Sequence, residues 1–152
     1  MDSNDRITLM SKVVLVSCVS KKNIGRHKAK DLYASPLFRK AYKYAESLNP
    51  DRIFILSAKY HLLDPEEVVQ DYNMTLNTFS TAKRKQWANE VLKQMVDAKI
   101  DLENDELIFL TGKKYWRDII DSGKIKNFSC PYFQNNLGGI GCIMKYLNEN
   151  TK

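Results

Sequence analysis

Lys59, Tyr60 and His61 follow one another in "ILSAKYHLLDP", where an apolar run gives way to polar residues at Ser57. An amine set beside Tyr60, Leu62 and Leu63 is partly withdrawn from water, which suits it to act as a base or a Schiff-base nucleophile. The same lysine equally suits binding of an anion, or an ordinary place at the surface. His61 is either an acid or base near neutral pH or simply the residue that turns the chain. Tyr60 is a candidate for assisting proton transfer.

Two other apolar runs end in the same way. "KVVLVSC" is followed by "VSKK", so that Ser17, Cys18, Ser20, Lys21 and Lys22 crowd its end, and "DELIFLTG" leads into Lys113 and Tyr115. Serine and lysine side chains bind an anion as hydroxyl donor and point charge. Cys18 sits among amines of the kind that activate a thiol, but no base lies near it in the sequence, and it reads better as a small buried apolar side chain. Asp71, in "QDYNMTL", is the carboxylate best placed to activate water or stabilise an oxocarbenium-like state. Glu66 and Glu67 read as solvated.

These groups need elements that bring them together. Lys12–Cys18, Asp51–Ala58 and Asp105–Gly112 are short apolar runs with polar ends, the pattern of strands buried on both faces. Between the first two, "SPLFRKAYKYAESLN" has Ser35 as N-cap, Pro36 at the first helical position, and Leu37, Ala41, Tyr44, Ala45 and Leu48 at helical spacing. Between the second and third, Trp87, Val91, Met95 and Ala98 share one helical face after a cap at Ser80 or Thr81. "KKYWRDIIDSG" predicts a short helix stopped at Gly123, "KIKNFSCP" a short fourth strand, and "GGIGCIMKYLNEN" a last helix entered through a glycine turn. Alternating strands and helices imply an α/β fold: a single-domain three-layer sandwich on a mostly parallel sheet of about four strands. Residues 1–11 read as a loose N-terminal segment and 12–149 as one domain. In such a sheet, ligands bind beyond the carboxyl ends of the strands, where all three polar clusters fall.

Composition narrows the class. The 152 residues carry 24 basic and 18 acidic side chains, a net charge of +6. The excess is concentrated between Ser20 and Lys40, where Lys21, Lys22, Arg26, Lys28, Lys30, Arg39 and Lys40 face only Asp31. That density attracts phosphate, on nucleic acid or on a nucleotide; a solvated basic surface is the plainer alternative. Neither a membrane-length apolar run nor a signal-peptide order is present, which points to the cytoplasm. Cys18, Cys130 and Cys142 lack the spacing of a disulfide framework or structural zinc site, and no cofactor or catalytic metal is expected. "SCVSKK" lacks the glycines of a phosphate-binding P-loop, and no GxGxxG follows a strand.

Taken together, "SCVSKK", "AKDLYASPLFRKA", "ILSAKYHLLDPEEVVQDYNMTL", "LTGKKY" and "LGGIGCIMKYL" resemble a family of small bacterial and phage proteins, over nearly the whole span from Val13 to Leu147. That family is similar to the peroxide-stress protein YaaA and, more distantly, to the catalytic domain of archaeosine synthase. Ser17, Cys18, Ser20 and Lys21 match its first motif, Tyr33 and Ser35 the second, Ser57, Lys59 and Tyr60 the third, and Tyr72 and Thr75 the fourth. His61 stands where the family pattern has glycine. The resemblance implies a nucleic-acid or nucleobase setting, with DNA the expected partner and a DNA glycosylase or lyase acting on a modified or damaged base the leading expectation. Lys59, Tyr60 and Asp71 would then carry the chemistry, and Ser17, Ser20, Lys21, Tyr33, Ser35, Ser57, Tyr72 and Thr75 would hold phosphate or substrate. Tyr33 and Tyr72 either stack on bases or pack in the interior. A non-catalytic DNA-binding stress protein, or an enzyme on a free nucleotide or small phosphorylated metabolite, are the alternatives.

Overall fold

The computed structural model of the protein describes residues 10–19 and 21–151. Ser20 and most of the expected loose segment at 1–11 lie outside the described residues. Ser11 does not belong to a loose segment: its N–H donates to the Asp105 carboxylate at 2.9 Å and its carbonyl accepts from Glu106 at 2.8 Å.

The first apolar run forms β1 (Lys12–Ser17), whose four middle residues are buried. It is the central strand, paired in parallel with β3 (Arg52–Ser57) on one side and β6 (Glu106–Leu110) on the other. The expected fourth strand is present as β7 (Phe128–Ser129), parallel to β6. A fifth strand enlarges the expected sheet. The chain reverses immediately after β3, so that β4 (His61–Leu63) pairs antiparallel with it, giving the order β4-β3-β1-β6-β7. Reversal requires a left-handed residue, and His61 supplies it at φ +67°. The glycine that the resemblance leads one to expect there would adopt this conformation more easily.

Side chains alternate across the sheet, and two cores follow from that alternation. Val13, Leu15, Phe54, Leu56, Leu107 and Phe109 pack on one face against α3 (Thr81–Asp97) and α4 (Lys113–Asp121). Val14, Val16, Ile55, Ile108 and Leu110 pack on the other against α1 (Ala29–Leu32), α2 (Pro36–Ser47), α5 (Pro131–Gln134) and α6 (Ile140–Asn150). The result is three layers. Ser35 caps α2 by accepting from the Phe38 N–H at 3.1 Å, and Ser80 caps α3 by accepting from Lys83 at 3.1 Å. Gly123, at φ +75°, ends the α4 turn as its position suggests.

A small second sheet was not foreseen. β2 (Arg26–Lys28) and β5 (Val68–Gln70) form an antiparallel ribbon beside the main sheet.

Candidate functional site

From β1 the chain crosses to β3 through helices on one face, and from β3 it returns to β6 through α3 on the other. The loops leaving β1 and β6 therefore diverge to opposite faces, and a crevice opens between them. Such a switch point is where open parallel sheets bind ligands. A cleft of about 400 Å³ lies here, lined by Cys18 after β1 and Tyr115 after β6. The Cys18 Sγ and Tyr115 hydroxyl are 3.1 Å apart and hydrogen-bonded.

Three helices begin at this cleft. Ser35, Pro36 and Leu37 belong to the cap and first turn of α2, Tyr115 to the first turn of α4, and Ile140 is the first residue of α6. Gly112 and Gly139, the N-cap residues of α4 and α6, carry no capping side chain. Converging helix N-termini present partial positive charge and N–H donors, a setting for anionic groups. Val19, Leu37, Met74 and Met144 make the remaining wall largely apolar, while Lys21, Thr75 and Asn77 add polar groups.

Beside the cleft runs a chain of hydroxyls. Ser57 is fully buried at the end of β3, and its Oγ accepts the N–H groups of Lys59 at 3.3 Å and Tyr60 at 3.0 Å. With both lone pairs occupied, its proton goes to the Tyr72 oxygen at 2.8 Å, and the Tyr72 proton goes on to Tyr33 at 2.9 Å. Burial pushes Tyr33 up to about 12 and holds Tyr72 and Tyr115 well above the usual phenol range, each reinforced by the nearby Cys18. All three are neutral hydroxyls near neutral pH. The Lys22 ammonium lies 4.3 Å from the Tyr72 ring centre and 5.8 Å from that of Tyr33. Burial lowers the Lys22 pKa, against an opposing pull from Cys18 and Asp71.

The expected site residues divide between these places. Lys21, Ser35 and Thr75 line the cleft. Ser35 and Thr75 also cap, Ser35 at α2 and Thr75 through the Asn77 N–H at 3.2 Å. Tyr33, Ser57 and Tyr72 form the hydroxyl chain; Tyr33 is buried in the core and Tyr72 is partly buried against it. Ser17 is the half-buried last residue of β1.

The three residues expected to carry chemistry stand elsewhere. Lys59 is exposed and lines a separate depression of about 530 Å³ with His61, Lys83 and Lys93; Met74 borders both cavities. The Tyr60 hydroxyl donates to the Gln70 carbonyl at 2.9 Å. Asp71 clamps a turn: its Oδ1 accepts from the Gly25 N–H at 3.0 Å, its own N–H donates to the Gly25 carbonyl at 3.0 Å, and the Gln70 amide also donates to it. Those bonds hold its carboxyl below the usual range. Cys18, Asn77 and Tyr115 occupy the cleft instead. Cys18 and Tyr115 could be picked out as residues at strand ends, but Asn77 carried no sequence signal.

Among the described residues no three His, Cys, Asp or Glu side chains are gathered as a metal site gathers them, and no helix is long and apolar enough to cross a membrane. Fold and site thus define a single α/β layer protein with an anion-favouring cleft at the switch point of a mostly parallel sheet. Residues 13–149 match a family described as a family of unknown function (DUF6884), and the chain belongs to it. No curated protein matches the chain significantly.

Proposed function

We propose that this protein is a nucleic-acid-directed enzyme of the cytoplasm that receives one extruded nucleotide in the switch-point cleft, with DNA glycosylase or lyase chemistry on a modified or damaged base. The observation that carries this reading is the cleft itself, about 400 Å³ with three helix N-termini at its rim and a largely apolar wall. A base is gripped by apolar contact while its phosphate faces Lys21 and the helix ends. Extrusion from the stack is what such a pocket demands of a duplex substrate.

In hydrolysis of the N-glycosidic bond, a water oxygen bonds to C1′ of the sugar and the water gives up a proton, while the base leaves with the bonding pair and takes up a proton in turn. Cys18 and Tyr115, hydrogen-bonded at 3.1 Å on the cleft wall, are the groups of this chain best placed beside the reacting atoms. Tyr115 enters as a neutral donor. Lys59 belongs to the outer depression, where it can meet a phosphate of the flanking strand.

The test is incubation of the protein with end-labelled DNA carrying assorted modified bases, followed by alkali. Alkali-labile sites that persist in Lys59→Ala and vanish in Cys18→Ala and Lys21→Ala are expected. Salt-sensitive binding without strand change points to a binding protein. No binding and no cleavage overturns the nucleic-acid reading and leaves a free nucleotide as the ligand of the cleft.

A further inference from the structure

Ile24 is 90% exposed, the most exposed large apolar side chain among the described residues, ahead of Ile140 at 63% and Phe133 at 62%. Single exposed apolar residues are ordinary on protein surfaces. This one differs because its backbone is fixed. The Asn23 N–H donates to the Leu32 carbonyl at 2.8 Å, and the Asn23 side-chain amide donates to the Asp31 carbonyl at 2.8 Å. On the other side Gly25 and Asp71 exchange two hydrogen bonds, and the Ile24 carbonyl is 2.8 Å from His27 Nε2. Gly25, at φ +97°, makes the sharp turn that a β-carbon would strain. The structure thus holds a branched apolar side chain outward at the tip of the β2–β5 ribbon.

The surroundings indicate what the tip meets. Lys21, Arg26 and Lys28, close to it in sequence, are exposed, with Lys28 also paired to Glu66 at 3.1 Å. Lys21 lines the cleft, and three residues of chain reach at most roughly 11 Å, so the Ile24 backbone stands within about three base steps of the Lys21 backbone. An exposed apolar tip on a hydrogen-bonded turn, with exposed cations close to it in sequence and a nucleotide-sized cavity nearby, matches a side chain inserted between stacked bases, with phosphates held on either side.

Resting on the extruded-nucleotide reading above, we propose that Ile24 is a wedge that enters a nucleic-acid duplex and fills the place of the nucleotide drawn into the cleft. Lys21 and Arg26 then neutralise the phosphates flanking the gap. Asp71 serves this step as a positioning residue, since it fixes the turn behind the tip.

The experiment uses a DNA duplex with a central 2-aminopurine, whose fluorescence rises when the base leaves the stack, and the same oligonucleotide as a single strand. Wild-type protein, Ile24→Ala and Ile24→Leu are compared, with thermal melting as a check of folding. On the duplex, Ile24→Ala is expected to bind within about threefold of wild type yet to lose about tenfold of the fluorescence rise, and Ile24→Leu to restore it. On the single strand, which needs no wedge, all three behave alike. A full rise with Ile24→Ala overturns the wedge. Duplex binding by wild type without any rise also overturns it while leaving the nucleic-acid reading standing, and absence of binding to either DNA form overturns both.

Discussion

Removing the Ser57 hydroxyl tests the hydroxyl chain. Ser57→Ala leaves the N–H groups of Lys59 and Tyr60 without their acceptor and the Tyr72 oxygen without its donor. Lys59 is exposed and its bond is long at 3.3 Å, so water replaces that acceptor at little cost. The Tyr60 amide and the partly buried Tyr72 oxygen are worse placed, and each unsatisfied group costs about 1–3 kcal/mol. A loss of about 2–6 kcal/mol follows, roughly 4–24 °C in Tm for a chain of this size. Tyr72→Phe removes the same 2.8 Å bond from its other end and also the donor to Tyr33. Because both variants delete one shared bond, the double variant should be less destabilised than the sum of the singles by about 0.5–1.5 kcal/mol. Guanidinium denaturation followed by circular dichroism measures all four proteins. Additivity within about 0.3 kcal/mol would refute the chain.

Other consequences are open to direct measurement. His61→Gly should gain up to about 1 kcal/mol by relieving the left-handed backbone, whereas His61→Val, branched at Cβ, should lose stability in the same denaturation assay. Removing Asp118 from its 2.6 Å pair with Arg84, where the two side chains are 8% and 14% exposed, should cost about 3 kcal/mol, and an apolar pair at both positions should recover most of it. Asp71 has a lowered pKa, so its clamp contributes above the ordinary aspartate range and is lost as pH falls through the native value. The stability difference between wild type and Asp71→Asn should therefore be constant near neutrality and shrink as pH drops below about 4. With iodoacetamide near pH 8, mass spectrometry should find the exposed Cys142 labelled first and Cys130, whose thiol burial pushes to about 11, labelled last.

The layers of this fold were readable because burial on both faces leaves a continuous apolar run. "VVLV", "IFIL" and "LIFL" each became a strand of the main sheet, and Ser35-Pro36 opened its helix where the capping chemistry placed it. The β2–β5 ribbon was not readable, because "RHK" and "VVQ" carry no alternation of their own. Long-range bonds such as Asp71 to Gly25 make them pair. The site shows the same division. That polar residues would gather at the carboxyl edge followed from the strand order alone. Which face each side chain turned to did not, since the reversal at His61 sends Lys59 toward Lys83 and Lys93 while Cys18 meets Tyr115, 97 residues away in sequence.

The central position of β1 also fixes an order of events during synthesis. The bond joining Lys12 to Asp51 spans 39 residues, and the one joining Ser11 to Asp105 spans 94. As the chain leaves the ribosome, one side of β1 can therefore be matched roughly 55 residues before the other, a delay of about 3–11 s at ordinary elongation rates. Through that interval the nascent sheet has an apolar strand at an open border, with unpaired N–H and C=O groups facing outward. The arrival of Glu106–Leu110 closes that border and leaves β1 paired along both of its edges.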